Sequence, residues 1–94
     1  MHTTTASKKS LSSLADIREQ DGCRVISISG GQGFRNKMYQ LGIHGMDELT
    51  VLRNGRSGPL VVEIGGTRLI IGRRMAERIW VMPVLHGKKR RRSE

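Results

Sequence analysis

Gly30-Gly31-Gln32-Gly33-Phe34-Arg35-Asn36-Lys37-Met38-Tyr39-Gln40-Leu41-Gly42-Ile43 is the stretch where the hydrophobic rhythm of this chain changes. Residues 23–29, just before it, carry the β-branched Val25, Ile26 and Ile28 and read as a strand. Apolar residues fall there on both parities, which predicts a strand covered on both faces. The glycines 30, 31 and 33 break that strand. Phe34, Met38 and Leu41 then recur at i, i+4 and i+7, one face of a helix, while Arg35, Asn36, Lys37 and Gln40 fall off the stripe. Gly42 follows at the position where a left-handed glycine ends a helix, and Ile43 can fold back on the last turn. Two to three turns of helix do not stand alone in water, so the segment must pack on something.

That something is β structure. Residues 48–53 alternate, with Leu49 and Val51 on one face and Thr50 and Leu52 on the other. Residues 54–59 read as a loop. Residues 60–64 and 67–71 flank Gly65-Gly66, a two-residue connection suited to a tight hairpin. Residues 73–77 make one turn, and residues 79–84 form a last strand that Pro83 stops. About five short strands and one helix in so few residues predict closure into a small barrel, because closure removes exposed edges. The expected organisation is a tail over residues 1–10, one domain over 11–85 and a basic tail over 86–94 that is disordered when free.

Ninety-four residues suffice for one domain. The net charge of +9 sits largely in the ends: residues 1–10 carry +2, residues 86–94 carry +4, and +3 remains between them. Lys88, Lys89, Arg90, Arg91 and Arg92 form an unbroken cationic run. Such a run suits an anionic membrane surface or the phosphates of nucleic acid, and a nucleic-acid-binding barrel is the alternative reading of the chain. A single-strand binder of that kind normally adds aromatic stacking platforms; here Trp80 is the only strand aromatic and Tyr39 is on the helix. Cys23 is the only cysteine, so neither an intrachain disulfide nor a cysteine cluster is available, and it reads as a small buried hydrophobe. No apolar run is long enough to span a bilayer, and residues 1–10 lack the core of a signal peptide; the expected compartment is the cytoplasm.

The glycines before the helix invite a phosphate site, but a dinucleotide fingerprint would need glycine at position 36 and a Walker loop would need Gly-Lys-Ser/Thr. His2, His44 and His86 present no ligand set at regular spacing; His44 and Glu48 stand four apart in a turn setting. Metal as a cofactor is therefore not expected; weak binding of a transition metal ion, Fe(II) or Zn(II), stays open as a reading but has no ligand cluster behind it. No nucleophile sits beside a base, so enzymatic activity is not expected.

The succession resembles the FeoA family. Gly33 to Ile43 with Gly45 matches its helix and exit turn. Gly58-Pro59-Leu60-Val61-Val62, then Gly66-Thr67-Arg68-Leu69-Ile70-Ile71-Gly72-Arg73, Met75-Ala76 and Ile79-Trp80-Val81 match its second block. The likeness covers roughly residues 11–84. It implies an SH3-like barrel with a helix between its first two strands, a fold that also occurs at the end of iron-dependent repressors. It further implies a role in ferrous iron transport beside FeoB, a GTP-dependent membrane transporter of Fe(II), through protein contact; the family brings no catalytic residues. His44 departs from the pattern, where proline is common, and so does the basic tail. Exposure and charge nominate Arg35, Lys37 and Tyr39 on the helix and Arg73 and Arg74 on the last turn as the docking surface, with attachment at the inner membrane through residues 88–92.

Overall fold

A computed structural model of the chain describes residues 11–55 and 57–84. The run at residues 88–92, His2 and His86 lie outside the described residues. Six antiparallel strands form one sheet in the order β1-β6-β2-β3-β4-β5. The elements are β1 (Ser12–Ser13), a 3-10 turn (Leu14–Asp16), β2 (Gly22–Ile28), helix α1 (Gln32–Gln40), β3 (Glu48–Arg53), β4 (Leu60–Ile64), β5 (Thr67–Ile71), the one-turn α2 (Arg73–Ala76) and β6 (Ile79–Val84). The expected mainly-β barrel with one inserted helix is therefore what the chain forms. The strand missing from the sequence reading is β1, whose two residues pair with Val81 and Trp80 of β6 and are too short to show an alternation.

The inner faces of β2 to β6 feed one core. Cys23, Val25, Leu49, Val51, Leu60, Val62, Ile71, Ile79 and Val81 are all buried in it, with Leu14 from the 3-10 turn and Met38 from α1. At the edge strand β1 a buried side chain ties the sheet to α2. Ser13, itself buried, donates from Oγ to Ala76 O at 3.3 Å and accepts the Ala15 N–H at 3.1 Å, so no polar atom of its side chain is stranded.

The mixed parity of β2 has a different cause from the one its sequence suggests. Its register against β6 slips between Val25, opposite Val81, and Ser27, opposite Trp80. Ile26 is the extra residue of a β-bulge, so the inward set runs Cys23, Val25 and then Ile28 instead of position 27. The strand buries one face throughout; the bulge changes which parity that is.

The helix end follows the glycine rule. Leu41 is the C-cap, Gly42 has φ +96°, the Gly42 N–H reaches Tyr39 O at 2.9 Å and the Ile43 N–H reaches Met38 O at 2.9 Å. Those two bonds are the Schellman pattern. Of the predicted stripe, Met38 is fully buried and Phe34 packs against the core, but Leu41 is 38% exposed. Ile43, just beyond the helix, is fully buried and supplies the anchor instead. A Cβ at Gly42 would touch nothing within 4 Å, so Gly42→Ala carries only the backbone penalty of a left-handed L-residue, roughly 1 kcal/mol. Urea unfolding is expected to show that loss as a lower midpoint at unchanged slope.

The Gly65-Gly66 hairpin also forms as read. Both glycines have positive φ (+59° and +81°), and Ile64 pairs with Thr67 across them, a type I′ geometry.

Candidate docking surface

The residues nominated from the sequence separate into two groups. Arg35, Lys37 and Tyr39 are exposed on α1, Arg35 and Tyr39 on one side and Lys37 on another. Arg35 is turned toward the barrel and donates from Nε to Ile28 O at 3.3 Å, where β2 ends. Lys37, in the last turn, sits where a cation complements the helix dipole. Tyr39 is 54% exposed, and its ring meets His44 edge-on, centroids 5.0 Å apart at 74°.

His44 is held by the turn that follows α1. Its N–H donates to Asp47 Oδ2 at 3.0 Å, its Nδ1 lies 3.4 Å from the same oxygen, and the Asp47 N–H returns to His44 O at 3.2 Å. Four residues thus close a β-turn with Met46 at its third position, φ +73°. Glycine is the residue suited to that position, yet here the glycine is Gly45, one place early. The turn is pinned to β2 on both sides of Met46: the Met46 N–H donates to Val25 O at 2.7 Å and Asp47 O accepts the Val25 N–H at 2.8 Å. The outcome is a large apolar side chain in an unfavourable conformation with 64% of its surface in water. Leu41, at the end of α1, is a further exposed apolar residue, and a cleft of about 200 Å³ is lined by Ile26, Ser27, Ile28, Arg35, Tyr39 and Gly45.

Met46 is the functional candidate that the sequence reading missed. A methionine after a glycine in a loop carries no signal of its own; only the turn register shows it displayed. The i, i+4 relation of His44 to Glu48 is not used either, since Glu48 bonds Arg24 across the β2–β3 ladder.

Arg73 and Arg74 are elsewhere. Arg74 is exposed, whereas Arg73 is half-buried and engaged within the chain. Its Nε donates to Gly58 O at 3.0 Å, Nη1 to Ala15 O at 3.4 Å and Nη2 to Asn54 Oδ1 at 2.7 Å. Asn54 in turn donates from Nδ2 to Ala15 O and Ile17 O, at 2.9 and 2.7 Å. One guanidinium thus ties α2, the loop after β3 and the 3-10 turn together. Nearby, Arg78 stacks over Phe34 at 5.2 Å and Trp80 Nε1 donates to Ser29 Oγ at 2.9 Å.

Among the described residues no three of His, Cys, Asp and Glu converge on a point. Cys23 is buried among apolar neighbours; burial first, and then the charge of Asp21, push its thiol up to about 12. It is a protonated, unreactive core side chain. No helix of the described residues is long and apolar enough to cross a membrane.

The FeoA domain model matches residues 12–83. A Methanocaldococcus jannaschii protein named for Fe(2+) transport, as transport protein A, is 31% identical over 74 residues, covering 79% of this chain and 89% of that one. Among solved structures, the crystal structure of an iron uptake regulatory protein, FeoA, superposes with a TM-score of 0.76 at 28% identity, over 79% of this chain and 99% of that one. The solution structure of FeoA protein from Chlorobium tepidum gives 0.71 at 27% identity, over 78% and 70%.

Proposed function

Because the chain belongs to the FeoA domain family, a family of ferrous iron transport, we propose that it is a non-enzymatic accessory protein that docks on the cytosolic part of an FeoB-type, GTP-dependent Fe(II) transporter. The place of action in this reading is the cytoplasm, at the inner face of the membrane, and Fe(II) is the transporter's cargo. The observation that carries the docking half of the proposal is the surface around Tyr39 and Met46. Strain at a displayed apolar residue is a feature of binding sites rather than of stable turns, and Tyr and Met are enriched in the cores of protein interfaces. Arg35, four residues before Tyr39 on the same side of α1, flanks that core with a cation; Lys37 and Arg74 add exposed cations away from it. Arg73 enters through its hold on the loops.

Two substitutions separate docking from folding. Met46→Asn removes the apolar side chain and supplies a residue that tolerates the left-handed conformation. It is expected to stabilise the domain by about 0.5 kcal/mol while weakening docking. Combined with Tyr39→Ser, it should lower co-purification with the membrane transporter about ten-fold, the equivalent of 1.4 kcal/mol. Equal recovery of transporter with the native and the doubly substituted protein, across several salt and nucleotide conditions, removes this surface from the proposal. No enrichment of the transporter even with the native chain removes the proposal itself.

A further inference from the structure

Strand β5 is one border of the sheet. It pairs with β4 and, among the described residues, with no other strand. Ile64 and Thr67 flank a two-residue turn and so exchange both backbone bonds. The alternation of an antiparallel ladder then turns the N–H and C=O of Leu69 and Ile71 toward β4, and those of Arg68 and Ile70 away from it. Among the described residues no backbone bond outside that ladder takes up Arg68 or Ile70. Ile70 is 72% exposed, more than any other large hydrophobic residue described. Edges of this kind are normally short, bulged or guarded by proline or lysine. The opposite border, β1, has only two residues. β5 has five, no proline, and a register with β4 that never slips, whereas β2 slips against β6 and β3 against β4.

The outward groups of β5 match those of a second β5. A two-fold axis at Leu69 sets Arg68 opposite Ile70 of the second copy, and Ile70 opposite its Arg68. Each such pair exchanges both backbone bonds, so every outward N–H and C=O of the two strands finds a partner. No like charges face each other in this register. The Arg68 stem lies along the second copy's Ile70, with its guanidinium toward Glu63 of its own β4, the residue it already faces. On the inner face Leu69, which packs against the core, meets its own copy. An axis at Arg68 would instead oppose two guanidinium groups, and one at Ile70 would set Arg68 against Gly72, where the strand has ended. We propose that β5 is a self-complementary edge through which two copies of this chain join their sheets about Leu69. Two paired residues a side fall short of the roughly 800 Å² per partner of a stable interface, so the pair is transient, with a Kd of about 0.3 mM. This inference does not depend on the transporter reading.

Sedimentation equilibrium of the full chain between about 0.05 and 1 mM tests it. The average mass should climb toward that of a dimer. Association should be about three-fold tighter at about 0.3 M salt than at about 0.02 M, because two chains of net charge +9 repel. Ile70→Lys sets an ammonium opposite the second copy's Arg68 and should weaken association about ten-fold or more. Ile70→Glu sets a carboxylate there; it should stay within about three-fold of the native chain at low salt and weaken as salt rises. In the native chain, amide exchange at Arg68 and Ile70 should slow about two-fold or more with concentration, a readout that needs no substitution. A mass that stays monomeric throughout overturns the proposal, and it is the result expected of an edge that accepts only a foreign strand. Equal weakening by Ile70→Lys and Ile70→Glu overturns it too, since that marks apolar contact without register. So do concentration-dependent amide changes confined to α1 or the turn at Met46.

Discussion

Ile43→Ala is expected to destabilise the domain by about 3 kcal/mol, within the range for an Ile-to-Ala truncation in a core. Ile43 belongs to no helix or strand, yet it is fully buried, and its N–H closes the outer bond of the helix-terminating motif on Met38 O. The substitution keeps that backbone bond and removes only the side chain that fastens α1 to the barrel. A folded unit of this size has about 4 to 11 kcal/mol to lose, so the change takes a large share, and the melting temperature should fall by roughly 12 to 24 °C. Leu41→Ala is the matched comparison. By sequence spacing Leu41 belongs to the helix stripe, but at 38% exposure its truncation should cost below about 1 kcal/mol. Thermal melts of the pair decide which residue anchors the helix; equal losses would return Leu41 to the core.

Arg73→Met should cost about 2 kcal/mol, somewhat less than two charge-assisted hydrogen bonds taken at face value. The thioether side chain retains much of the aliphatic stem while the guanidinium disappears, so packing changes little. Ala15 O keeps its bond from Asn54, but Asn54 Oδ1 and Gly58 O lose theirs; the site is half-buried, and water recovers part of the difference. Arg73→Lys should recover less than half, because an ammonium cannot reach three acceptors with a planar fork. Arg74→Met, on an exposed neighbour, should be close to neutral. Chemical denaturation of the three variants gives the ranking, and amide exchange in the loop after β3 should quicken only when Arg73 is changed. Full stability in Arg73→Met together with lost transporter recovery would assign Arg73 to docking instead of to the clasp.

The parts of this fold that were legible from sequence are those decided by neighbours in the chain. The exit of α1 is one: the six residues 38–43 contain every donor and acceptor of its terminating bonds, and the motif forms. The Gly65-Gly66 hairpin is another. What escaped depends on partners far along the chain. Ile26 looks like evidence for a strand covered on both faces until the β6 register shows it to be a bulge. Arg73 looks like one more surface cation because its acceptors lie 15, 19 and 58 residues away. Arg35 and Tyr39, four residues apart, share one side of α1 while Lys37 lies on another, and Met46 became visible only through its backbone angle.

Strand β2 joins two poles of the barrel: Gly22 meets Val84 at one, and Ile28 leads toward α1 at the other. Since β1 runs antiparallel to β6, with Ser12 opposite Val81, the chain upstream of Ser12 also points toward the Val84 pole. Both ends of the domain therefore depart on the same side. A tag or fluorescent protein joined directly at Leu11 or Val84 starts from that side, away from the first turn of α1, and a short peptide bridging those two positions is a natural closure for a circular permutant.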